Sequence, residues 1–347
     1  MHLPARSLAR NAFPAATRFS RVVRLTRSFA AVAPGAPPPQ ATTPYEVFDR
    51  QAKRRQRDRA ATRDGGEKSR VTDYLRAEVA ERMFERFEDL RNPPSQILDL
   101  SSSSGHLSKL LTTLESTKNI RMLDMSEKSL WRDTDDQFDV LSPFKVTPRR
   151  TVVDEEHLLE AVDENSQDCI VSNMGLHWVN DLPGVLKQIQ RALKPDGVFM
   201  GSMIGGDSLF ELRTALQLAE QERSGGISPR ISPMADPSDA SNLMGRAGFS
   251  LLTVDVEDVK ISYPSIWELM EDLRDMGESN AILGRRPFIK RDLLLAADAI
   301  YKEMNGLEDG TVPATYSIIF LIGWKPAPSQ PKPLPRGSGK TSLKDVL

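Results

Sequence analysis

Short apolar runs separated by longer amphipathic segments extend through the middle of the chain. Five of these runs predict strands, at 97–100, 120–124, 150–153, 168–173 and 197–204. Because most of these strands are separated by helix-length segments, we expect right-handed βαβ units and a mainly parallel sheet. Two later apolar runs, 251–256 and 316–323, predict an antiparallel closing pair. The pattern therefore predicts an α/β fold with a doubly wound, mainly parallel, seven-stranded sheet and helical insertions.

Helical periodicity is found before and after these strands. From 71 to 90, apolar residues recur near helical spacing, which predicts one amphipathic helix that stops at Pro93-Pro94. The segments 267–276 and 290–304 are also expected to be helical. The run 50–70 carries nine basic and three acidic residues. Such a run is typical of a solvated helix or linker, and a docking patch for an acidic partner is the alternative.

The two ends of the chain differ in composition from the middle. The first 45 residues contain six arginines, no lysine and no acid. This composition is typical of a mitochondrial presequence, and the alternative is a basic arm that binds nucleic acid or acidic lipid. We therefore divide the chain into a presequence and flexible start (1–43), a basic linker with the N-terminal helix (44–93), a sheet-bearing domain (94–324) and a disordered Pro-rich tail (325–347).

Charge and cysteine content argue against several kinds of protein. The chain has 46 basic and 48 acidic residues, and without the six leader arginines the balance is 40 to 48, a formal charge near −8. This acidic balance argues against nucleic acid as a partner. The single cysteine, Cys169, excludes an internal disulfide and lies in an apolar run where we expect burial.

The histidines give no support to a metal site. Four histidines and one cysteine lie in separate segments without ligand spacing, so we predict no bound metal. The number of histidines, taken alone, is compatible with an iron site made of two histidines and a carboxylate. No apolar run approaches the length of a membrane span.

Polar residues follow the ends of the first two predicted strands. Asp99 lies in the first strand and is followed by Ser101, Ser103 and Gly105 in the turn of ILDLSSSSG. Asp124 ends the second strand, where a carboxylate can accept both ribose hydroxyls in a doubly wound nucleotide site. The sequence therefore predicts a nucleotide-like cofactor at this edge of the sheet.

Acidic and amide side chains continue this pattern at the next two strands. Asp154 and Glu155 follow the third strand, and Asn173 ends the fourth. Acids at the ends of three strands, in the order expected for a nucleotide site, favour a cofactor-binding site at this edge of the sheet. In the alternative, the serine run is an ordinary helix cap and each acid is a cap or a surface charge.

Two motifs resemble a known superfamily: LHWVNDLP at 176–183 and LKPDG at 193–197. They are similar to S-adenosylmethionine-dependent methyltransferases, especially the branch near the malonyl-carrier-protein methyltransferases. The resemblance implies a Rossmann-like methyltransferase sheet and S-adenosylmethionine as the cofactor, with the adenine amino group at the acids after the third strand. The superfamily's first motif reads Asp-x-Gly-x-Gly-x-Gly, and Ser101 and Ser103 replace its first two glycines. Each serine adds a Cβ that can crowd the cofactor and a hydroxyl that can donate to it.

Five further segments carry a narrower signal: GGDSLFELR at 205–213, LMGRAGF at 243–249, LMEDL at 269–273, MGESN at 276–280 and VPATY at 312–316. Together they resemble a family of mitochondrial complex I assembly factors described as arginine hydroxylases. The resemblance implies an enzyme of the mitochondrial matrix, or of the matrix face of the inner membrane, that hydroxylates an arginine of the iron–sulfur subunit in the peripheral arm during early assembly.

The same resemblance implies partners and co-reactants. The iron–sulfur subunit and other complex I assembly factors would be the partners, and an oxygen-activating cofactor that the residues do not identify would be needed. An S-adenosylmethionine-dependent methyltransferase and a non-catalytic assembly chaperone on the same fold are the alternatives.

Four candidate catalytic residues follow the fourth and fifth strands. Asp207 and Glu211 are four residues apart at the expected start of a helix, where they would share a face and clamp a guanidinium. Alternatively, Asp207 caps the helix and Glu211 forms a solvent-exposed ion pair. His177 and Trp178 are expected as an exposed aromatic pair, the first as a base or donor and the second as a cover for a cation. Packing under the next helix is the alternative for both.

The loop 224–233 follows the candidate helix and lacks periodicity. It is interpreted as a lid or peptide-binding loop beside the crevice, with a connecting turn as the alternative.

Overall fold

The computed structural model describes residues 46–139, 143–144 and 146–331. The predicted presequence, 1–43, lies outside the described residues, as does the Pro-rich tail from residue 332 onward. Within the described part, the protein forms two compact units that are interleaved along the sequence. The first unit contains the residues up to Asp73, with Ile204–Met234 and Glu257–Ile318; the second contains Tyr74–Met203, Ala235–Val256 and the residues from Ile319 onward.

The described residues form seven strands of one sheet: β1 Gln96–Leu100, β2 Asn119–Asp124, β3 Arg149–Val152, β4 Gln167–Asn173, β5 Leu193–Ile204, β6 Ser250–Tyr263 and β7 Val312–Trp324. Their order in the sheet is β3-β2-β1-β4-β5-β7-β6. β1 pairs in parallel with β2 and β4, β2 with β3, and β4 with β5. The predicted α/β fold with a mainly parallel sheet is confirmed, and every predicted strand is found.

The helices of the described residues are α1 Arg50–Thr62, α2 Glu67–Thr72, α3 Tyr74–Glu88, α4 His106–Leu111, α5 Glu127–Leu130, α6 Asp135–Asp139, α7 Leu182–Ala192, α8 Phe210–Ser224, α9 Pro237–Ala247, α10 Ile266–Asp275 and α11 Arg291–Asn305. Three 3₁₀ segments, Arg63–Gly66, Glu155–Glu160 and Leu176–Trp178, join them. α10 and α11 match the helices expected at 267–276 and 290–304.

One apolar core organises the second unit. Side chains of β1, β4 and β5 pack there with one face of α7, which buries Val185, Leu186 and Ile189. α7 begins where the sequence predicts, because Asp181 caps it by accepting the Gly184 N–H at 2.9 Å. Cys169 is fully buried in β4, as expected, and burial raises the pKa of its thiol. This core fixes the ends of the parallel strands and therefore the polar residues that follow them.

The helix before the sheet differs from its prediction at both ends. α3 begins at Tyr74 and ends at Glu88, before Pro93-Pro94, and the chain turns back where the Leu90 N–H donates to the Phe87 carbonyl at 3.1 Å. The helix therefore ends in a local turn, and the prolines lie in the connection to β1.

The basic run of the first unit is not wholly solvated, in contrast to the prediction for 50–70. Lys53, in α1, is fully buried, and its ammonium donates to the carbonyls of Gly277 at 3.0 Å and Ser279 at 2.8 Å. Burial lowers the pKa of Lys53 well below its usual range, although Glu278 acts in the opposite direction. The sequence does not reveal this buried role of Lys53, because the carbonyls that accept its hydrogen bonds lie more than 200 residues away.

The chain remains ordered beyond the expected start of the tail. In the second unit, the backbone of Lys325 exchanges hydrogen bonds with Gly197 at 2.8 Å and Asp196 at 3.1 Å. The Lys325 ammonium donates to the Leu193 carbonyl at 2.8 Å. These bonds extend the ordered chain past β7, and the expected disorder from 325 does not hold for 325–331.

Replacement of Lys53 by methionine should destabilise the protein. The change leaves one buried and one partly buried carbonyl without their donor, and each such loss costs roughly 1–3 kcal/mol when the group is buried. We expect the free energy of unfolding in urea to fall by at least about 2 kcal/mol. Lys68→Met, at an exposed position of the same basic run, is the matched control and should stay near wild type. Equal stability of the two variants would contradict the role of Lys53.

Candidate functional site

The loop between β1 and α4 keeps a glycine-type backbone although serine replaces glycine. Ser101, Ser103 and Gly105 have φ angles of 57°, 52° and 78°, all in the left-handed region. A residue with a Cβ is disfavoured there by roughly 1–2 kcal/mol. The two serines therefore occupy the backbone conformation for which the superfamily motif uses glycine, at a cost in stability.

Asp124 connects this loop to the end of β2. Its Oδ2 accepts the Ser103 N–H at 2.9 Å, and its Oδ1 accepts the Ser126 N–H at 2.7 Å. The Ser102 N–H donates in addition to the Leu123 carbonyl at 3.0 Å. Asp124 is fully buried. Acceptance of ribose hydroxyls by Asp124 stays a prediction.

The acids after β3 have different partners. Glu155 is fully buried, and its Oε1 accepts the Ser101 hydroxyl at 2.6 Å. Asp154 caps the following 3₁₀ segment by accepting the Glu156 N–H at 3.0 Å. Asp154 thus has the cap role that was its alternative in the sequence, whereas the Glu155 side chain binds the loop after β1 through Ser101.

Ser101 packs closely against the turn after β4. A Cβ built on Gly175 would lie 2.1 Å from the Ser101 Cβ and 2.5 Å from its hydroxyl. Contacts below 3.0 Å are not tolerated between such atoms. The serine therefore fits only because residue 175 is glycine.

Asp99 carries a buried carboxyl with one oxygen unpartnered. Its Oδ2 accepts the Ser108 hydroxyl at 2.6 Å, whereas Oδ1 has no hydrogen-bond partner among the described residues. Burial raises the pKa of Asp99 to about 7; the Ser108 bond opposes this shift and the charge of Asp124 adds to it. Near neutral pH, Asp99 therefore populates both protonation states.

Asn173 and Arg76 form a polar pair beside the end of β4. The Asn173 amide donates to the Arg76 carbonyl at 3.1 Å, and the Arg76 guanidinium donates to the Asn173 carbonyl at 2.9 Å. The charge of Arg76 acts to lower the pKa of Asp99. Sequence reasoning missed Arg76; the available signal was a basic residue next to Leu75 on the apolar face of a helix.

The expectation of an exposed aromatic pair is wrong. His177 and Trp178 are 9% and 4% exposed, and their ring centroids lie 5.4 Å apart. Both belong to a 3₁₀ turn in which the Trp178 N–H donates to the Gly175 carbonyl at 3.3 Å. This turn directs the pair inward, so both rings are buried in this conformation.

Asp207 and Glu211 do not share a helix face, in contrast to the prediction. α8 begins at Phe210, so Asp207 lies in the preceding turn, and it does not cap the helix either. Leu209, at the N-cap position, has φ of 54° and makes no side-chain cap. Asp207 is exposed, and Glu211 is 3% exposed. The two carboxylates therefore differ in accessibility.

Pairing with β7 explains this arrangement in the first unit. The Ser208 hydroxyl accepts the Ser317 N–H at 2.9 Å and donates to the Ser317 carbonyl at 3.1 Å. The Glu211 carboxylate accepts the Thr315 hydroxyl at 2.5 Å and the Thr315 N–H at 3.3 Å. The segment 205–211 is thus held along β7, and the turn that carries Asp207 is stabilised by its neighbours.

The loop 224–233 is anchored by Glu220 of α8. Ser228 donates to this carboxylate through its N–H at 2.8 Å and its hydroxyl at 2.5 Å. Arg230 donates to it at 2.9 Å, and the Asn280 amide donates to the Pro229 carbonyl at 2.8 Å. The interpretation of the loop as a lid or peptide-binding loop stays a prediction, and the bonds describe a closely held conformation.

The described residues lack two further features. No three His, Cys, Asp or Glu side chains in this part of the protein are grouped so that they could hold a metal ion. None of the described helices is both long and apolar enough to span a membrane.

Comparison with known proteins gives a consistent family assignment. A family model described as a methyltransferase domain matches residues 71–254. The protein named "Arginine-hydroxylase NDUFAF5, mitochondrial" in Danio rerio is 45% identical over 301 residues, which cover 86% of this chain and 89% of that protein. The Homo sapiens protein of the same name is 43% identical over 317 residues, 91% and 88% of the two chains. A malonyl-[acyl-carrier protein] O-methyltransferase of Methylovorus sp. (strain MP688) is 33% identical over 283 residues, 81% and 90% of the two chains.

Ser103→Gly should stabilise the protein. Glycine relieves the left-handed strain at φ 52°. The release of strain should raise the free energy of unfolding by about 1 kcal/mol. The greater conformational freedom of glycine in the unfolded state should offset part of this gain. Ser103→Ala retains the Cβ and should show no gain, and a comparable gain from alanine would exclude backbone strain as the cause. Urea unfolding of the three proteins provides the measurement.

Asp99→Asn should flatten the dependence of stability on pH. The folded-state pKa of about 7 lies above the unfolded value of 3.8. The stabilisation from Asp99 is therefore fully present below pH 3.8 and is lost as the pH rises through about 7. Between about pH 5 and pH 8, wild type should lose roughly 2–3 kcal/mol relative to the variant. The exposed Asp163→Asn is the control, and identical pH profiles for wild type and Asp99→Asn would contradict the assignment.

Proposed function

We propose a function from one premise: this chain belongs to the mitochondrial arginine-hydroxylase family named NDUFAF5, and it contains a methyltransferase domain. The protein is then a mitochondrial complex I assembly factor that hydroxylates an arginine side chain of the iron–sulfur subunit of the peripheral arm during early assembly. The observation that carries the proposal is 43–45% identity to proteins of this name over most of both chains. The matrix, or the matrix face of the inner membrane, is the proposed location.

An accessible carboxylate supports an arginine substrate. A guanidinium is planar, always charged and carries five donors, so a carboxylate is the group that binds it best. Asp207 is exposed on a turn held along β7, whereas Glu211 already accepts two bonds from Thr315. We therefore assign guanidinium binding to Asp207, and to Glu211 the positioning of the turn that carries it.

The reaction needs co-reactants beyond the substrate. Hydroxylation breaks one C–H bond of the arginine and forms a C–O bond with an oxygen atom from molecular oxygen. The second oxygen atom leaves as water, with two electrons from a reductant and two protons. The proposed enzyme therefore consumes molecular oxygen and a two-electron donor, and an oxygen-activating cofactor completes it.

S-adenosylmethionine fits the loop after β1. The backbone of Ser101, Ser103 and Gly105 is left-handed, a conformation that glycine adopts readily, and Asp99 Oδ1 is a buried acceptor without a partner among the described residues. The residues that would hold the cofactor are Asp99, Ser101, Ser103, Gly105, Asp124, Glu155 and Asn173, whereas Asp154 caps the 3₁₀ segment that carries Glu155. When bound, this cofactor supplies a positively charged sulfonium centre with a transferable methyl group.

Replacement of Asp207 should strongly reduce substrate modification without unfolding the protein. In a strain that lacks the gene, we expect the iron–sulfur subunit to lose the mass of one oxygen atom on one arginine, as measured by peptide mass spectrometry. Wild type should restore the modification. Asp207→Asn should reduce it about tenfold or more, because a charge-assisted bond to the substrate is worth roughly 1.5–3 kcal/mol.

Matched variants separate this role from folding and from the alternatives. Glu222→Gln, an exposed carboxylate on α8, should behave as wild type, whereas Glu211→Gln should lower the melting temperature. Full hydroxylation with Asp207→Asn would remove Asp207 from the substrate site. Unmodified subunit in the presence of wild type would remove the hydroxylase proposal. Transfer of labelled methyl to protein would favour a methyltransferase, and complex I assembly without hydroxylation would favour a chaperone.

A further inference from the structure

A cavity of about 410 Å³ lies within the first unit, apart from the turn that carries Asp207. Its walls come from α8, the loop 227–233 and two short segments at Val47 and Ile282. The lining is mostly apolar, with isoleucines, prolines and a valine, and it includes two arginines, Arg213 and Arg230. None of the described Asp and Glu residues belongs to this lining. An apolar cavity of this size with a few convergent polar groups has the character of a small-molecule site.

Arg213 brings an uncompensated charge to this cavity. Its Nε and Nη2 atoms are buried and have no acceptor in the part of the protein that the structure describes. A guanidinium remains charged at any accessible pH, so its donors cannot be relieved by loss of a proton. Buried charged groups without partners are costly and are rare unless an anion binds them. The position of Arg213 therefore calls for a ligand.

Arg230 provides the contrast within the same cavity. It donates to Glu220 at 2.9 Å, and Arg286 lies 3.6 Å from the same carboxylate. One carboxylate thus faces two guanidinium groups, while Arg213 has none among the described residues. The surroundings of the cavity carry excess positive charge, and Glu220 is already engaged by Ser228.

We propose that this cavity binds a small aliphatic carboxylate. The carboxylate would accept a forked pair of hydrogen bonds from Arg213, and its hydrocarbon tail would lie against Ile227, Ile231 and Ile282. The guanidinium fork matches carboxylate geometry, and the apolar walls favour an acid with a short hydrocarbon tail over inorganic phosphate. This proposal does not rest on the hydroxylase function, because binding alone measures it.

Titration calorimetry of the full-length protein with hexanoate tests the proposal. Wild type should bind hexanoate and should bind inorganic phosphate more weakly. Arg213→Met should weaken hexanoate binding at least about tenfold, because a charge-assisted bond is lost. Without ligand this variant should be at least as stable as wild type, because it removes two buried guanidinium nitrogens, Nε and Nη2, that have no acceptor among the described residues. Arg223→Met, an exposed arginine on the same helix, is the matched control and should bind as wild type.

A second variant keeps the test decisive if Arg213→Met fails to fold. Gln217 lines the same cavity four residues after Arg213 on α8, so Gln217→Glu supplies an internal carboxylate to the guanidinium. This isosteric change should reduce hexanoate affinity and leave folding intact. The proposal is overturned if wild type does not bind hexanoate, if phosphate or a capped Leu-Glu-Leu peptide binds as tightly, or if Gln217→Glu retains full affinity.

Discussion

The buried carboxylate of Asp124 accepts backbone N–H groups from Ser103 and Ser126, and the bond from Ser103 connects the loop after β1 to the end of β2. The loop needs such a connection because two of its serines have left-handed backbone conformations that free serine avoids. A carboxylate removed from water strengthens each bond that it accepts, since the surrounding dielectric is low. The backbone at Ser103 therefore depends on an acid that lies outside the loop, just as Ser101 depends on Glu155.

A second feature recurs in both units. The carboxylate of a buried acid accepts a hydrogen bond from a serine or threonine hydroxyl elsewhere in the same unit. A short hydroxyl donor satisfies a carboxylate without adding charge, so the local net charge is unchanged. The four pairs are Ser108 with Asp99, Ser101 with Glu155, Ser228 with Glu220 and Thr315 with Glu211. In two of them the hydroxyl belongs to a segment that the sequence marks as a motif. Serine and threonine in these motifs thus have a positioning role beside any contact with a ligand.

The sequence predicted the sheet well and the side-chain environments poorly, for a physical reason. Buried parallel strands are continuous apolar runs, so their approximate bounds are local properties of the chain. The start of α8 is not local, because pairing of Ser208 with Ser317 holds Asp207 outside the helix. The burial of Lys53 likewise depends on carbonyls after α10, and the inward turn of Trp178 depends on a 3₁₀ bond to Gly175. Candidate site residues were identified by type, but their accessibility required the tertiary structure.

The contact between Ser101 and Gly175 couples the choice of residue at these two positions. Any Cβ at 175 would coincide with the serine side chain, so the two positions cannot both carry one. With this backbone, a side chain at 175 therefore requires either glycine at 101 or a shift of one of the two turns. The serine that departs from the glycine motif thus depends on a glycine more than 70 positions away, and a substitution at either position would be felt in the loop after β1 and in the turn after β4 together.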